Sequence, residues 1–286
     1  MKSGENMKIS GLLLGLLFFL ATSALCAPNP ALTVSLGFDF ASGNYGTSQT
    51  SDSYSIPLII GYNPSERLDF SLEIPYLYQS GGSTVSLGGM RFPMQTSGSS
   101  GGTSGSGMGG IGGMGGGSTT TSGTNSQTGL GDITLTAGYM LRPESATAPM
   151  LRPIVYIKAP TADENKGLGT GAFDFGGGLS VGKVFGHWSA YAETLYVAPG
   201  STSAYKPDNY WTYQGTVSYQ LTRRLNTGLA VSGATAAFAG NSAALEVRLR
   251  SGYRLSERGS VGVYLGQGLS DSSPDYTAGF YGAISF

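Results

Sequence analysis

The 286-residue chain carries a net charge of −1, with 47 glycines and only 12% charged residues. Glycine at about twice and charge at about half the usual share argue against an ordinary helical globule, and 17 tyrosines suit half-buried strands better than helices. Basic residues are not clustered, which speaks against nucleic acid as a partner.

The N-terminus has the anatomy of an export signal. Lys2 and Lys8 supply the positive end, Leu12 to Leu20 the apolar core, and Ala24 to Ala27 a small-residue cleavage region. We expect residues 1–26 to be a signal peptide, cut between 24 and 27. Its apolar run falls short of the ~20 residues that a membrane-spanning helix needs. Cys26 is the sole cysteine. Leu25 stands where a lipoprotein signal wants a small residue, so lipidation of Cys26 is disfavoured. Cleavage after Cys26 leaves an exported domain with no disulfides.

Beyond the signal no long apolar run recurs. Instead, alternating segments of about ten residues alternate with turn formers, the pattern of transmembrane strands. Twelve are expected, in chain order: 32–40, 53–62, 67–78, 128–141, 150–159, 171–183, 187–198, 209–221, 225–237, 242–254, 260–269 and 276–286. The third is the cleanest, with Leu68, Phe70, Leu72, Ile74, Tyr76 and Tyr78 on one face against Asp69, Ser71 and Glu73. The ninth and eleventh are faint, which leaves ten or fourteen strands as neighbouring readings. Connections after the even segments are short and those after the odd segments include the long ones. That arrangement is expected of an all-β, antiparallel up-and-down transmembrane barrel over 27–286 with both termini periplasmic. A sheet survives in lipid only when it closes on itself, whereas a soluble sandwich would show charge on its exposed faces.

The longest connection, 79–127, is rich in Gly, Ser, Thr and Met and is expected to be flexible, for want of apolar surface to offset its ordering entropy. Folding inward as a plug or constriction is the other reading. Its Met90, Met94, Met108 and Met114 lack a Cys or His partner, so no metal site is assigned. Gly107 to Gly112 and Gly167 to Ala172 resemble phosphate-loop spacing, but neither opens a helix within a βαβ unit. No cofactor is expected. His187, the sole histidine, stands beside a short turn, and nothing near it resembles a Ser–His arrangement, so catalysis is not indicated.

Charges on the polar face form the constellation of interest. Asp39, Asp69, Glu73, Asp132, Asp174, Glu193 and Glu246 are expected to face Arg152, Lys158, Arg248 and Arg250 across the lumen. Opposed charges can orient solutes in a pore, or can simply fill a narrow interior with paired groups. On the first reading Arg248, Arg250 and Lys158 contact solute, with Glu73 and Asp174 opposite, and Arg152, Asp69, Glu193 and Glu246 contribute.

The terminal strand ends on Phe286, as in bacterial outer-membrane barrels, where such an aromatic closes the barrel and is read by the assembly machinery. More specifically, Gly129-Leu130-Gly131-Asp132, then Ile157 to Thr161, then Gly167 to Asp174, resemble the outer-membrane transporters named for the meta-pathway of phenol degradation. Ala162 stands where that pattern usually has Gly. The resemblance covers the middle and C-terminal half. It implies an outer-membrane barrel, embedded in lipid, that passes small and possibly aromatic or hydrophobic molecules. A non-transporting barrel with a plugged lumen and a surface-interaction loop is the alternative.

Overall fold

The computed structural model describes residues 31–45, 50–80, 84–87, 90–93 and 126–286. The expected signal segment, Cys26, Met94, Met108, Met114 and the glycine motif at 107–112 lie outside the described residues. The strands are β1 (Leu32–Gly43), β2 (Ser51–Tyr62), β3 (Leu68–Gln79), β4 (Thr84–Leu87), β5 (Met90–Pro93), β6 (Gln127–Leu130), β7 (Ile133–Tyr139), β8 (Met150–Ala159), β9 (Asp174–Phe185), β10 (Trp188–Pro199), β11 (Tyr210–Gln220), β12 (Leu225–Ala234), β13 (Ala244–Arg254), β14 (Gly259–Gly268) and β15 (Tyr276–Ser285).

Every wall strand pairs antiparallel with its neighbour in sequence, and β1 also pairs with β15, so the sheet has no edge. Thr33 opposes Ser285 and Ser42 opposes Tyr276 at that seam, where the Phe286 N–H donates to the Leu32 carbonyl at 2.8 Å. Both β6 and β7 pair with β3. They are two halves of one wall strand, broken at Gly131 and Asp132, and the wall therefore has twelve strands. The two faint segments are β12 and β14, each in full register with both neighbours. Within 79–127, β4 and β5 form a two-stranded sheet apart from the barrel. Its signal was present in the sequence: Gly88-Gly89 separates two alternating segments, the composition of a two-residue hairpin turn.

Short connections at 63–67, 140–149, 186–187, 221–224 and 255–258 gather at one end with the start of β1 and the end of β15. We call this the turn end and the other the loop end. The outward face is apolar. Leu229, Leu249 and Leu265 lie side by side on β12, β13 and β14 and are 58%, 55% and 67% exposed, which in water would be costly but in lipid is favourable. Aromatics flank this aliphatic belt at both ends. Tyr62, Tyr139, Trp188 and Tyr253 stand at the turn end, and Tyr76, Phe175, Tyr196, Trp211 and Tyr276 at the loop end. Two such girdles mark the levels where a barrel meets the lipid headgroups. Leu249→Arg is therefore expected to cost about 2–4 kcal/mol, measured by urea unfolding in vesicles. An unchanged midpoint would contradict the lipid-facing assignment.

The inward face explains the glycine content. Bulky lumen residues stand directly across a strand pair from glycine: Tyr156 from Gly176, Met150 from Gly182, Arg250 from Gly228, Tyr264 from Gly279 and Tyr281 from Gly262. A Cβ at Gly262 or Gly279 would fall within the ring of the facing tyrosine. Each glycine thus lets one large side chain lie flat on the wall, and large and small residues alternate to fill a narrow barrel.

Candidate functional site

Three stretches far apart in sequence converge at the loop end. Asp132 occupies the break between β6 and β7, where the Gly131 N–H donates to the Pro75 carbonyl at 2.8 Å. Lys158, 1% exposed on β8, places its Nζ 3.0 Å from Asp132 Oδ2 and 2.8 Å from Asp174 Oδ2. The same ammonium donates to the Thr170 hydroxyl at 2.8 Å. Asp132 Oδ1 accepts from the Ala162 N–H at 3.0 Å, and the Thr161 hydroxyl donates to the Gly131 carbonyl at 2.9 Å. Asp174 Oδ1 accepts from the Gly200 N–H at 3.1 Å, which ties in the β10–β11 loop.

The connection from 160 to 173 is thereby folded back onto the wall. Its short 3₁₀ turn, Glu164–Lys166, is capped by the Asp163 carboxylate and ends at Gly167, whose φ of 67° is left-handed and suits glycine. Leu168 is 1% and Thr170 0% exposed. Gly169 has no room for a side chain, because a Cβ would lie 2.6 Å from Asp132 Oδ2. Tyr205 leans on this turn by donating to the Glu164 carbonyl at 3.3 Å. Burial, and then the Glu164 carboxylate, hold its hydroxyl above the usual tyrosine range. We call this assembly the clasp.

At the turn end large side chains pack inside the barrel. Arg152, 1% exposed, grips Asp69 with two guanidinium nitrogens, Nε lying 2.8 Å from Oδ1. Gly138, the register partner of Asp69, leaves room for that guanidinium. Tyr191 donates to Glu193, which also accepts from Gln214 at 3.1 Å. Met140, Met150 and Tyr191 form a small apolar cluster beside them.

Between this packed end and the loops lies a cavity of about 470 Å³, a volume suited to a small molecule. Its charged lining consists of five carboxylates (Asp39, Glu73, Asp132, Glu193 and Glu246) against Lys158, Arg248 and Arg250. Arg248 is held by Glu246 through Nε and Nη2 at 2.7 and 2.8 Å, and lies over the Tyr264 ring, 4.8 Å from its centroid. Asp39 accepts from the Tyr264 hydroxyl at 2.6 Å. One wall is aromatic and aliphatic: Tyr156, Tyr210 and Val197 belong to a buried apolar cluster against which Leu195 packs, and all four line the cavity.

Residues 95–286 match the family described as "Putative MetA-pathway of phenol degradation". The chain belongs to this family. The three converging stretches of the clasp all fall within the matched span, so the family's matched region contains the whole of that assembly. No curated protein matches the chain. Among solved structures, the KdgM porin in complex with disordered oligogalacturonate is similar at a TM-score of 0.52 and 8% identity, over 89% of this chain and 99% of the porin. The CymD monoaromatic hydrocarbon channel aligns at 0.46 and 10% identity, over 91% and 89%. The Pseudomonas putida toluene transporter TodX aligns at 0.43 and 11% identity, over 97% and 94%. The KdgM likeness is one of fold, that of an outer-membrane β-barrel.

The expected lumen charges divide into three groups. Asp39, Glu73, Asp132, Glu193, Glu246, Lys158, Arg248 and Arg250 line the cavity. Arg152 and Asp69 are buried against each other at the turn end, and Asp174 is fully buried in the clasp. Alternation places Tyr156 inward beside Arg152 and Lys158, where it lies, whereas the lumen tyrosines 210 and 264 were not singled out, although Tyr264 alternates with the outward Val263 and Leu265. Tyr156 and Tyr264 each oppose a glycine, Gly176 and Gly279, a signal legible only once register is known, whereas Tyr210 opposes Val197. His187 is exposed in the β9–β10 turn, 5.9 Å from the Tyr219 ring. Ala162 meets the clasp through its backbone N–H, so loss of the family's usual glycine leaves that bond intact.

Proposed function

We propose that the barrel is a passive channel for small molecules across the outer membrane, aromatic or hydrophobic compounds among them, rather than an enzyme. The observation that carries this reading is the lumen cavity of about 470 Å³, whose walls combine paired charges with tyrosine and aliphatic surface. A solute with an apolar body and a polar end finds both kinds of contact there. Arg248, Arg250 and Glu73 are the side chains we assign to solute contact, with Glu193, Glu246 and Lys158 around them. Phe286, 64% exposed beside the seam, is the residue we assign to the barrel-assembly machinery.

The packed turn end favours a second reading, a barrel that does not transport. Planar-bilayer recording separates the two. Purified protein is expected to give discrete current steps that an aromatic solute such as benzyl alcohol blocks in a concentration-dependent way. A membrane that stays silent after verified insertion of folded barrel would remove the channel reading and leave the second.

A further inference from the structure

Glu73 differs from every other lumen carboxylate. Asp69, Asp132, Asp174 and Glu246 each have a basic partner within 3.0 Å, while Asp39 and Glu193 each accept from a tyrosine hydroxyl. Glu73 faces the cavity without a hydrogen bond or ion pair among the described residues. A carboxylate so placed is poorly stabilised until a donor or cation completes it. A second, independent observation lies on the same wall. Tyr156 is 9% exposed and lines the cavity, yet its hydroxyl has no partner among the described residues.

Register brings these two groups together. Glu73 opposes Thr134 and Thr136 opposes Tyr156, so they flank β7 one inward step apart. With strands ~4.8 Å apart and ~3.4 Å of rise per residue, their Cα atoms stand roughly 12 Å apart, a gap that a small molecule held between the two side chains bridges. Two of the three bases in the lining are already engaged by acids. Lys158 has three oxygens around its ammonium, and Arg248 is held by both oxygens of Glu246. The lining keeps an excess of two carboxylates over bases, and Leu195, Val197 and the Tyr210 ring offer an apolar bed beside them.

We propose that this cavity binds a small organic ammonium ion, its charge on Glu73, its N–H also on the Tyr156 hydroxyl, and its apolar body against Leu195, Val197 and the tyrosine rings. The proposal rests on the barrel having a solute-accessible lumen and adds the class of solute. A positive charge next to tyrosine faces gains a cation–π contribution as well, which a neutral isostere lacks.

The test is binding to the full barrel in detergent micelles, by titration calorimetry at neutral pH with benzylammonium, benzyl alcohol and benzoate. Benzylammonium is expected to bind at least about tenfold more tightly than the alcohol, the size of one charge-assisted contact, and benzoate more weakly than either. Glu73→Gln, which keeps shape and removes charge, is expected to erase the preference, and Tyr156→Phe to weaken benzylammonium several-fold. Equal binding of the three compounds to the unaltered protein overturns the proposal without recourse to any variant. So does a benzylammonium preference that survives in Glu73→Gln. Selective binding in micelles with a silent bilayer would uphold the site while overturning the channel, and bilayer current without amine preference would do the reverse.

Discussion

Lys158→Met is expected to destabilise the barrel by about 3–5 kcal/mol, the usual cost of stranding buried charge by removing its partner. Two carboxylates, Asp132 and Asp174, converge on the Lys158 ammonium, whose side chain is 1% exposed. Solvent therefore does little to screen the loss. Methionine keeps the length and apolar stem but leaves the two acids facing each other. The connection 160–173 would lose its anchor with them, because Thr170 also bonds that ammonium. Urea titration in lipid vesicles measures the effect, with Trp188 and Trp211 as fluorescent reporters on the outer face. Adding Asp132→Asn and Asp174→Asn to Lys158→Met is expected to recover much of the loss, since an entirely neutral cluster carries no stranded charge. A single variant as stable as the original would mean that the clasp contributes nothing.

The second large effect concerns the turn end. Arg152→Ala is expected to raise the single-channel current and, at the same time, to cost about 3–5 kcal/mol by leaving Asp69 buried without its partner. Arg152 is the largest fully buried side chain of the lumen, and it lies across the wall at Gly138. Removing it vacates space where Met140, Met150 and Tyr191 now meet. The double variant Arg152→Ala with Asp69→Ala separates the two consequences. It is expected to retain the larger current while regaining stability. If the current is unchanged in both, Arg152 only fills space and the passage, where one exists, runs elsewhere.

These experiments bear on features with different visibility in the sequence. The alternation of Leu68, Phe70 and Leu72 with Asp69, Ser71 and Glu73 assigns each residue of β3 to a face, because a strand repeats every two residues. The same rule located even the faint β12 and β14. The hairpin of β4 and β5 was missed because a low-complexity composition outweighed two short alternating segments. The break between β6 and β7 was missed although the phase of alternation slips there: Leu130 and Leu135 both face outward, five residues apart across Gly131 and Asp132.

What alternation by itself determined was the set of lipid-facing and lumen-facing residues, the closed sheet that this patterning demands in a membrane, and hence the kind of place this protein occupies. What only the tertiary structure decided was which inward residues meet. Face is a local property of the chain, whereas partnership depends on the register of strands that can lie more than 200 residues apart, as Tyr264 and Asp39 do. Register turned Gly129 to Asp132, Lys158 and Asp174 from a motif into a clasp, set Arg152 on Asp69 at the turn end, and left Glu73 facing the cavity with no hydrogen bond or ion pair among the described residues.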